Sequence, residues 1–393
     1  MRNIIIYLFL PFIFFSCTER SNIRTKIDNN LETGKLVIYD SIDLPEYRFS
    51  HITDYNPNTE TFIGLFQEKI IGFKSHEKAF TIDKHGDGPE EYFYDFPIFT
   101  NAKFATDTSF MINCYNKLKF FSLKGEFLKD QRINDEPFYY ERYPQACVDD
   151  SIVVFIGDNE LPKDPEGPVE KRSCKKFFFL NMNTGKYKSY GTLEKENHLK
   201  VVNKYMPLPS PEGIFNKEKK CLDLIYSADA QLFRYHMDDP TKYEYIKLTP
   251  EYTIEPYLLA NDFKAVTGHP SELKNRLRNN YYKQCYSSGD TLITAYQPGV
   301  SQELIEKELG EGSDATIKKG GYFGFINNFC ESYIEYYINE EKQIHDIKIP
   351  NHYKVEYIGD SEHILIRDPN REITSNKKAL KRYYLCRIEK KQS

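Results

Sequence analysis

The chain has 393 residues, 53 basic side chains against 58 acidic ones, a formal net charge of −5 and a mean hydropathy of −0.62. That balance excludes the concentrated basic face of a nucleic-acid groove, so no nucleic-acid partner is expected. Tyr (31) and Phe (28) are abundant and Trp is absent, a usage that suits pleated, half-buried β surfaces.

Residues 1–16 read as a secretory signal. Arg2 supplies the positive start, Ile4 to Phe15 form an apolar run broken only by Pro11, and Phe14-Phe15-Ser16 leads into Cys17. The run is too short for a spanning helix and matches a lipoprotein-type cleavage site. Cys17 then becomes the new N-terminus and the lipidation site, and the membrane is reached through that lipid. One acyl chain anchors only marginally, so stable attachment needs several on the same cysteine. Loss of Arg2 leaves 52 of the 53 basic residues and a net charge of −6. Residues 17–32 are polar and read as a flexible tether. Residues 33–393 are expected to form one domain.

Within that domain a unit recurs: short alternating strands separated by turns at Gly, Asn or Asp. The clearest copy runs Asp107 to Asn113, Lys117 to Leu123, then Gly125 to Ile133. Other copies start at Phe62, Ser151, Cys221, Asp290 and Ser361. Repeats of roughly 40–50 residues built from several strands mark a β-propeller. The fold class is therefore all-β, a propeller of six blades, with seven the alternative. The long fifth interval is assigned to helical insertions. One is capped by Ser271 with Leu273, Leu277 and Tyr281 along a face, and the other spans Ser301 to Leu309 before Gly310. The last unit shows three strands, and Leu36 to Tyr39 or Tyr47 to Phe49 is expected to supply the fourth. Such a closure removes exposed sheet edges.

Apart from Cys17 there are seven cysteines, at 114, 147, 174, 221, 285, 330 and 386. Their number is odd, no C-x-x-C occurs, and most lie beside aromatic or β-branched residues. They read as small buried hydrophobes, with one or two disulfides as the alternative.

The most unusual local cluster is Gly86-Asp87-Gly88-Pro89-Glu90-Glu91-Tyr92. Gly86, Gly88 and Pro89 read as a structural turn, with positive φ available at glycine and φ fixed at proline. The competing reading is a backbone nest for an anion or metal. The segment Phe80 to Tyr92 resembles the Gly-x-Gly-Pro-Gly-Glu-Phe/Tyr signature of Bacteroidetes six-bladed β-propeller lipoproteins, whose function is mostly unassigned. The leader, the overall length and the Lys117-to-Ile133 pattern share in the resemblance, and Glu90 stands where that family usually has glycine. The resemblance implies an NHL-like propeller tethered to the bacterial cell envelope, at the outer membrane by preference, facing either the periplasm or the cell surface. It implies no reaction.

The nine histidines are scattered, and no nucleophile elbow or His-Glu-x-x-His occurs. The catalytic residues are unknown and no metal ligand is assigned. Tyrosine-rich segments are more suggestive, because Tyr offers a stiff apolar face with a polar tip. Arg142, Tyr143 and Tyr282 are the residues assigned to a ligand surface over the central channel. The leading expectation is a binding or scaffolding protein for a carbohydrate or protein ligand, without a cofactor. The alternative is a hydrolase or lyase acting on a sugar or lactone, with a metal ion in the channel.

Overall fold

The computed structural model describes residues 31–45, 50–66, 68–75, 77–86, 88–92, 101–114, 117–133, 143–149, 151–156, 177–191, 211–226, 230–252, 277–278, 281–309, 329–350, 353–375 and 378–390. They form six antiparallel sheets arranged as a six-bladed β-propeller. Closure is supplied by β1 (Gly34–Pro45), which belongs to the last blade. Blade 1 is β2 (Ser50–Asn56), β3 (Thr61–Phe66), β4 (Lys69–Lys74) and β5 (Glu77–Ile82). Blade 2 is β6 (Ala102–Thr106), β7 (Ser109–Cys114), β8 (Lys117–Ser122) and β9 (Phe127–Arg132). Blade 3 is β10 (Tyr143–Asp149), β11 (Ile152–Ile156), β12 (Phe177–Asn181) and β13 (Tyr187–Tyr190). Blade 4 is β14 (Pro211–Asn216), β15 (Cys221–Tyr226), β16 (Gln231–His236) and β17 (Tyr243–Lys247).

Blade 5 holds β18 (Tyr281–Ser288), β19 (Thr291–Gln297) and β20 (Tyr333–Ile338), with a split outer edge of β21 (Glu341–Lys342) and β22 (Ile347–Lys348). Blade 6 is β23 (Lys354–Ile358), β24 (Ile364–Ser375), β25 (Lys378–Lys390) and then β1. The pairing of β1 with β25 runs from Gly34 opposite Lys390 to Pro45 opposite Leu380, so the segment containing Leu36 to Tyr39 completes the ring. Each inner strand also touches the next around the channel, and β23 returns to β2.

The strand sequences follow their depth in each blade. Middle strands are buried on both faces and read as near-continuous apolar runs, such as Thr61-Phe62-Ile63-Gly64-Leu65-Phe66 in β3, where every residue is buried. Outer strands carry charge, as in Phe127-Leu128-Lys129-Asp130-Gln131-Arg132 of β9, which keeps a sheet edge from pairing with another chain. Six apolar clusters fill the six seams between blades. Phe155 stacks on Phe178 at 4.7 Å in the seam of blades 2 and 3, and Phe177 meets Tyr235 at 4.8 Å in the next. The abundant aromatics are thus largely inter-blade filling, and burying one contributes roughly 1.5–3 kcal/mol.

The insertion after β19 contains helix α1 (Gln302–Leu309), capped where the Leu304 amide donates to Ser301 Oγ at 3.3 Å. It packs through Ile305 on Leu277, Val300 and Cys330. No seventh sheet occurs among the described residues, which settles the blade count at six. The other expected helix is corrected in part. Leu277 is helical, but Tyr281 opens β18, so no helical face joins the two, and residues 271–276 lie outside the described ones. Cys114, Cys147, Cys221, Cys285, Cys330 and Cys386 are free thiols, buried or half-buried, and Cys174 lies outside the described residues.

Candidate ligand site in the central channel

The inner strands run the same way along the channel. The ends of β2 and β6 meet where Asn56 Nδ2 donates to Asp107 Oδ1 at 3.1 Å, and those of β14 and β18 where Asn216 Nδ2 donates to Ser287 Oγ at 3.0 Å. Their starts meet likewise, since Ile156 pairs with Tyr143 and lies against Gly213. Between the two mouths lies a cavity of about 810 Å³ lined from every blade, among others by Asp54, Lys103, Ala146, Glu212, Lys283 and Glu356. That volume lies in the range of small-molecule sites.

Several charges on the wall are committed to structure. Asp54 of blade 1 accepts from the Phe104 amide at 2.7 Å and the Tyr357 hydroxyl at 3.1 Å, with Lys103 Nζ 3.6 Å away. One carboxylate thereby ties blades 1, 2 and 6 together. Burial, reinforced by the Asp54 charge, holds the Tyr357 hydroxyl well above the ordinary tyrosine range. Glu356 accepts from Arg367 Nε at 2.8 Å.

Other wall groups have no such partner. The side chains of Asn101, Glu212, Lys283 and Gln284 make no hydrogen bond or ion pair among the described residues, although all four line the cavity. Glu212 is the second residue of β14 and Lys283 the third of β18, on neighbouring inner strands and near the same mouth. Glu212 keeps some surface open to the cavity, yet protein surrounds it, and withdrawal from bulk water pushes its carboxyl up to about 7 against the opposing charge of Lys103. Burial pushes the Lys283 ammonium below the usual lysine range, with Glu356 acting in the opposite sense. Close by, Lys354 is pushed down to about 8 by burial and by the Lys283 charge.

The residues singled out in the sequence are distributed differently. Tyr282 is fully buried, packed in the seam of blades 4 and 5 with its hydroxyl donating to Glu335 Oε2 at 3.2 Å. It therefore presents nothing to a ligand, and the assignment to the channel surface is corrected. Its neighbour Tyr281 is 42% exposed and lines the cavity, because successive residues of a strand face opposite ways. Tyr143 opens β10 opposite Ile156, while Arg142 and Cys17 lie outside the described residues.

Gly86, Gly88 and Pro89 belong to a closed loop away from the channel. The Gly86 amide donates to Tyr92 O at 3.0 Å, and the Gly88 amide donates to Glu91 Oε2 at 2.9 Å. The glycines leave room for that carboxylate, since a Cβ on Gly88 would stand 2.8 Å from Glu91 Oε2 and one on Gly86 would be closer still, contacts that the flexible glutamate relieves by turning aside. Gly86 does not have positive φ, which corrects the conformational reason expected for it from the sequence. Lys119 of blade 2 reaches the loop and donates to the carbonyls of Gly88 at 3.1 Å, Pro89 at 3.2 Å and Glu91. Tyr92 is fully buried, its hydroxyl donating to Glu68 O at 2.8 Å and Ile82 O at 3.0 Å. The backbone donor that a nest would offer at Gly88 is taken by the loop's own glutamate.

Sequence reasoning did not single out Glu212 or Lys283. The available signal was a charged residue at the head of an inner strand otherwise committed to packing, as in Pro211-Glu212-Gly213-Ile214-Phe215 and Tyr281-Tyr282-Lys283-Gln284. Among the described residues, no group of three or more His, Cys, Asp or Glu side chains is placed to hold a metal ion.

No protein-family model matches the chain, and no curated protein matches it significantly. Solved structures do. A member of the DUF4221 family from Bacteroides vulgatus is similar over 92% of this chain and 100% of its own, with a TM-score of 0.62 at 13% identity. A candidate exported protein from Bacteroides fragilis is similar over 91% of this chain and 96% of its own, with a TM-score of 0.48 at 12% identity. At 13% identity the first of these shows the shared propeller fold.

Proposed function

We propose that the chain is a lipid-anchored propeller of the bacterial cell envelope that binds a carbohydrate or protein ligand in its central channel. The observation that carries this reading is the cavity of about 810 Å³, whose wall presents polar side chains from three blades without hydrogen-bond or ion-pair partners among the described residues. Folded proteins pair their enclosed polar groups, and a wall that leaves several unpaired is complementary to a polar ligand. The envelope location and the anchor at Cys17 are supported by the leader, where Phe14-Phe15-Ser16 precedes the cysteine. A glycan and peptide binding screen of the purified protein, followed by calorimetric titration of each hit, tests the reading. Binding without turnover is expected, and failure of every sugar and peptide to bind overturns it.

One observation favours a second reading, that of a hydrolase or lyase acting on a sugar or lactone. Burial pushes the Glu212 carboxyl up to about 7, the range suited to general acid–base work at neutral pH. Turnover of a bound sugar or lactone, abolished in Glu212→Gln, would establish that reading in place of the first.

A further inference from the structure

Two ionisable groups that make no hydrogen bond or ion pair among the described residues stand near one mouth of the channel on neighbouring strands. Glu212 heads β14 and Lys283 heads β18, and the amides of Asn101 and Gln284 line the same cavity. The surrounding charges are engaged: Asp54 with Phe104, Tyr357 and Lys103, Glu356 with Arg367, Asp107 with Asn56 and Asn58, and Glu218 with Ser288 at 2.7 Å. An enclosed ammonium whose nearest carboxylate, Glu356, is bonded to Arg367 is costly, and an arriving carboxylate both lowers that cost and forms a charge-assisted hydrogen bond.

The neutral groups narrow the choice further. A primary amide donates and accepts at once, as a sugar hydroxyl does, so Asn101 and Gln284 match vicinal hydroxyls. Burial keeps the Glu212 carboxyl largely protonated up to about 7, so it both donates and accepts and matches a sugar hydroxyl as the amides do. Tyr281, 42% exposed on the same strand, offers an apolar face for a pyranose ring. A free amino acid would satisfy Glu212 and Lys283 alone and would leave most of the 810 Å³ empty.

We infer that the channel selects acidic carbohydrate, with Lys283 taking the carboxylate of a uronate and Glu212, Asn101 and Gln284 taking its hydroxyls. This rests on the channel-binding reading above and adds the class of ligand to it. Both amides carry either polarity, so the sugar can be held in more than one hydroxyl configuration, whereas the carboxylate is held at one place. Charge therefore dominates selection over stereochemistry.

The test is calorimetric titration of the purified protein with trigalacturonate and with its fully methyl-esterified, uncharged counterpart. The acid is expected to bind at least about tenfold tighter than the ester, a margin typical of a charge-assisted bond. Lys283→Met removes that margin while leaving ester binding in place, and Lys283→Arg restores it. Thermal melts of each variant confirm that the fold is retained. Equal affinity for acid and ester overturns the inference but leaves carbohydrate binding standing. Tighter binding of a tripeptide than of trigalacturonate overturns the carbohydrate class. Failure of both sugars and the tripeptide to bind overturns the inference and the channel reading together.

Discussion

Arg234 holds Asp223 by two bonds, Nε to Oδ1 at 2.8 Å and a second from NH2 to Oδ2 at 3.1 Å, with the carboxylate fully buried. The pair joins two blades, because Ser287 of β18 donates to Asp223 at 2.6 Å and Arg234 reaches Glu340 beyond β20 at 2.7 Å. Removing one partner strands the other charge in the seam, which costs about 3–5 kcal/mol. Arg234→Met is expected to lose stability of that order in urea denaturation. A loss below about 1 kcal/mol would show that the seam rests on apolar packing alone.

Lys119 fills the inner side of the Gly86-to-Tyr92 loop by donating to three of its carbonyls. Lys119→Met leaves those acceptors without their donor and is expected to cost about 2 kcal/mol. Gly88→Ala pushes the Glu91 carboxylate off the Gly88 amide and is expected to cost about 1 kcal/mol, the worth of that hydrogen bond. Because Lys119 belongs to blade 2 and the loop follows blade 1, hydrogen exchange in Lys119→Met should quicken at Tyr92 before it does in blade 4. Uniform quickening round the ring would count against a local role.

The Glu335 carboxyl is fully buried, and desolvation, aided by the Asp346 charge, pushes it up to about 7. Below the ordinary carboxylate range both folded and unfolded states carry the proton, and stability is undiminished. As pH climbs toward 7 the unfolded chain ionises first, and stability falls until the native carboxyl has ionised as well. The loss from this one group is on the order of 3 kcal/mol. In Glu335→Gln the difference in unfolding free energy between pH 4.5 and pH 8 should shrink by that order. An unchanged pH profile would place the sensitivity elsewhere.

Binding of an acidic sugar should weaken as pH rises. Glu212, facing Lys103 and Cys285, gains negative charge as pH passes about 7. Lys283, surrounded by Glu356, Cys330, Arg367 and Lys354, gives up its proton below the usual lysine range. Both changes repel or release an anion. Trigalacturonate affinity is expected to fall severalfold from pH 6 to pH 8, and Glu212→Gln should flatten the lower part of that decline. Affinity that rises with pH would contradict the assignment of the carboxylate to Lys283.

Attachment to lipid at Cys17 predicts that the chain incorporates labelled palmitate and partitions into detergent phase. Cys17→Ser should abolish both and release a fully folded protein with unaltered melting temperature. Label retained in Cys17→Ser would remove the anchor from the proposed function.

The propeller was legible in the sequence because each blade writes its strands in order of depth. Apolar runs such as Phe62 to Phe66 give way to charged edges such as Leu128 to Arg132, and this gradient repeats. An incomplete last unit called for a closing strand, with Leu36 to Tyr39 and Tyr47 to Phe49 both available in the sequence, and the pairing with β25 decides for the first. The channel was not legible in the same way. Glu212 and Lys283 stand 71 positions apart and line one cavity only because neighbouring inner strands run side by side. Tyr281 and Tyr282 look equivalent in the sequence, and the alternation of β18 decides which meets the cavity and which meets Glu335.

The register of β1 against β25 has a consequence for biogenesis. A chain that crosses a membrane from its N-terminus delivers β1 first and β25 last, with 11 paired positions between them waiting on the final residues. Circularity is thus the last property the molecule acquires. Until the C-terminal hairpin arrives, β1 is an unpaired ribbon, and loss of either strand leaves an open spiral in place of a wheel.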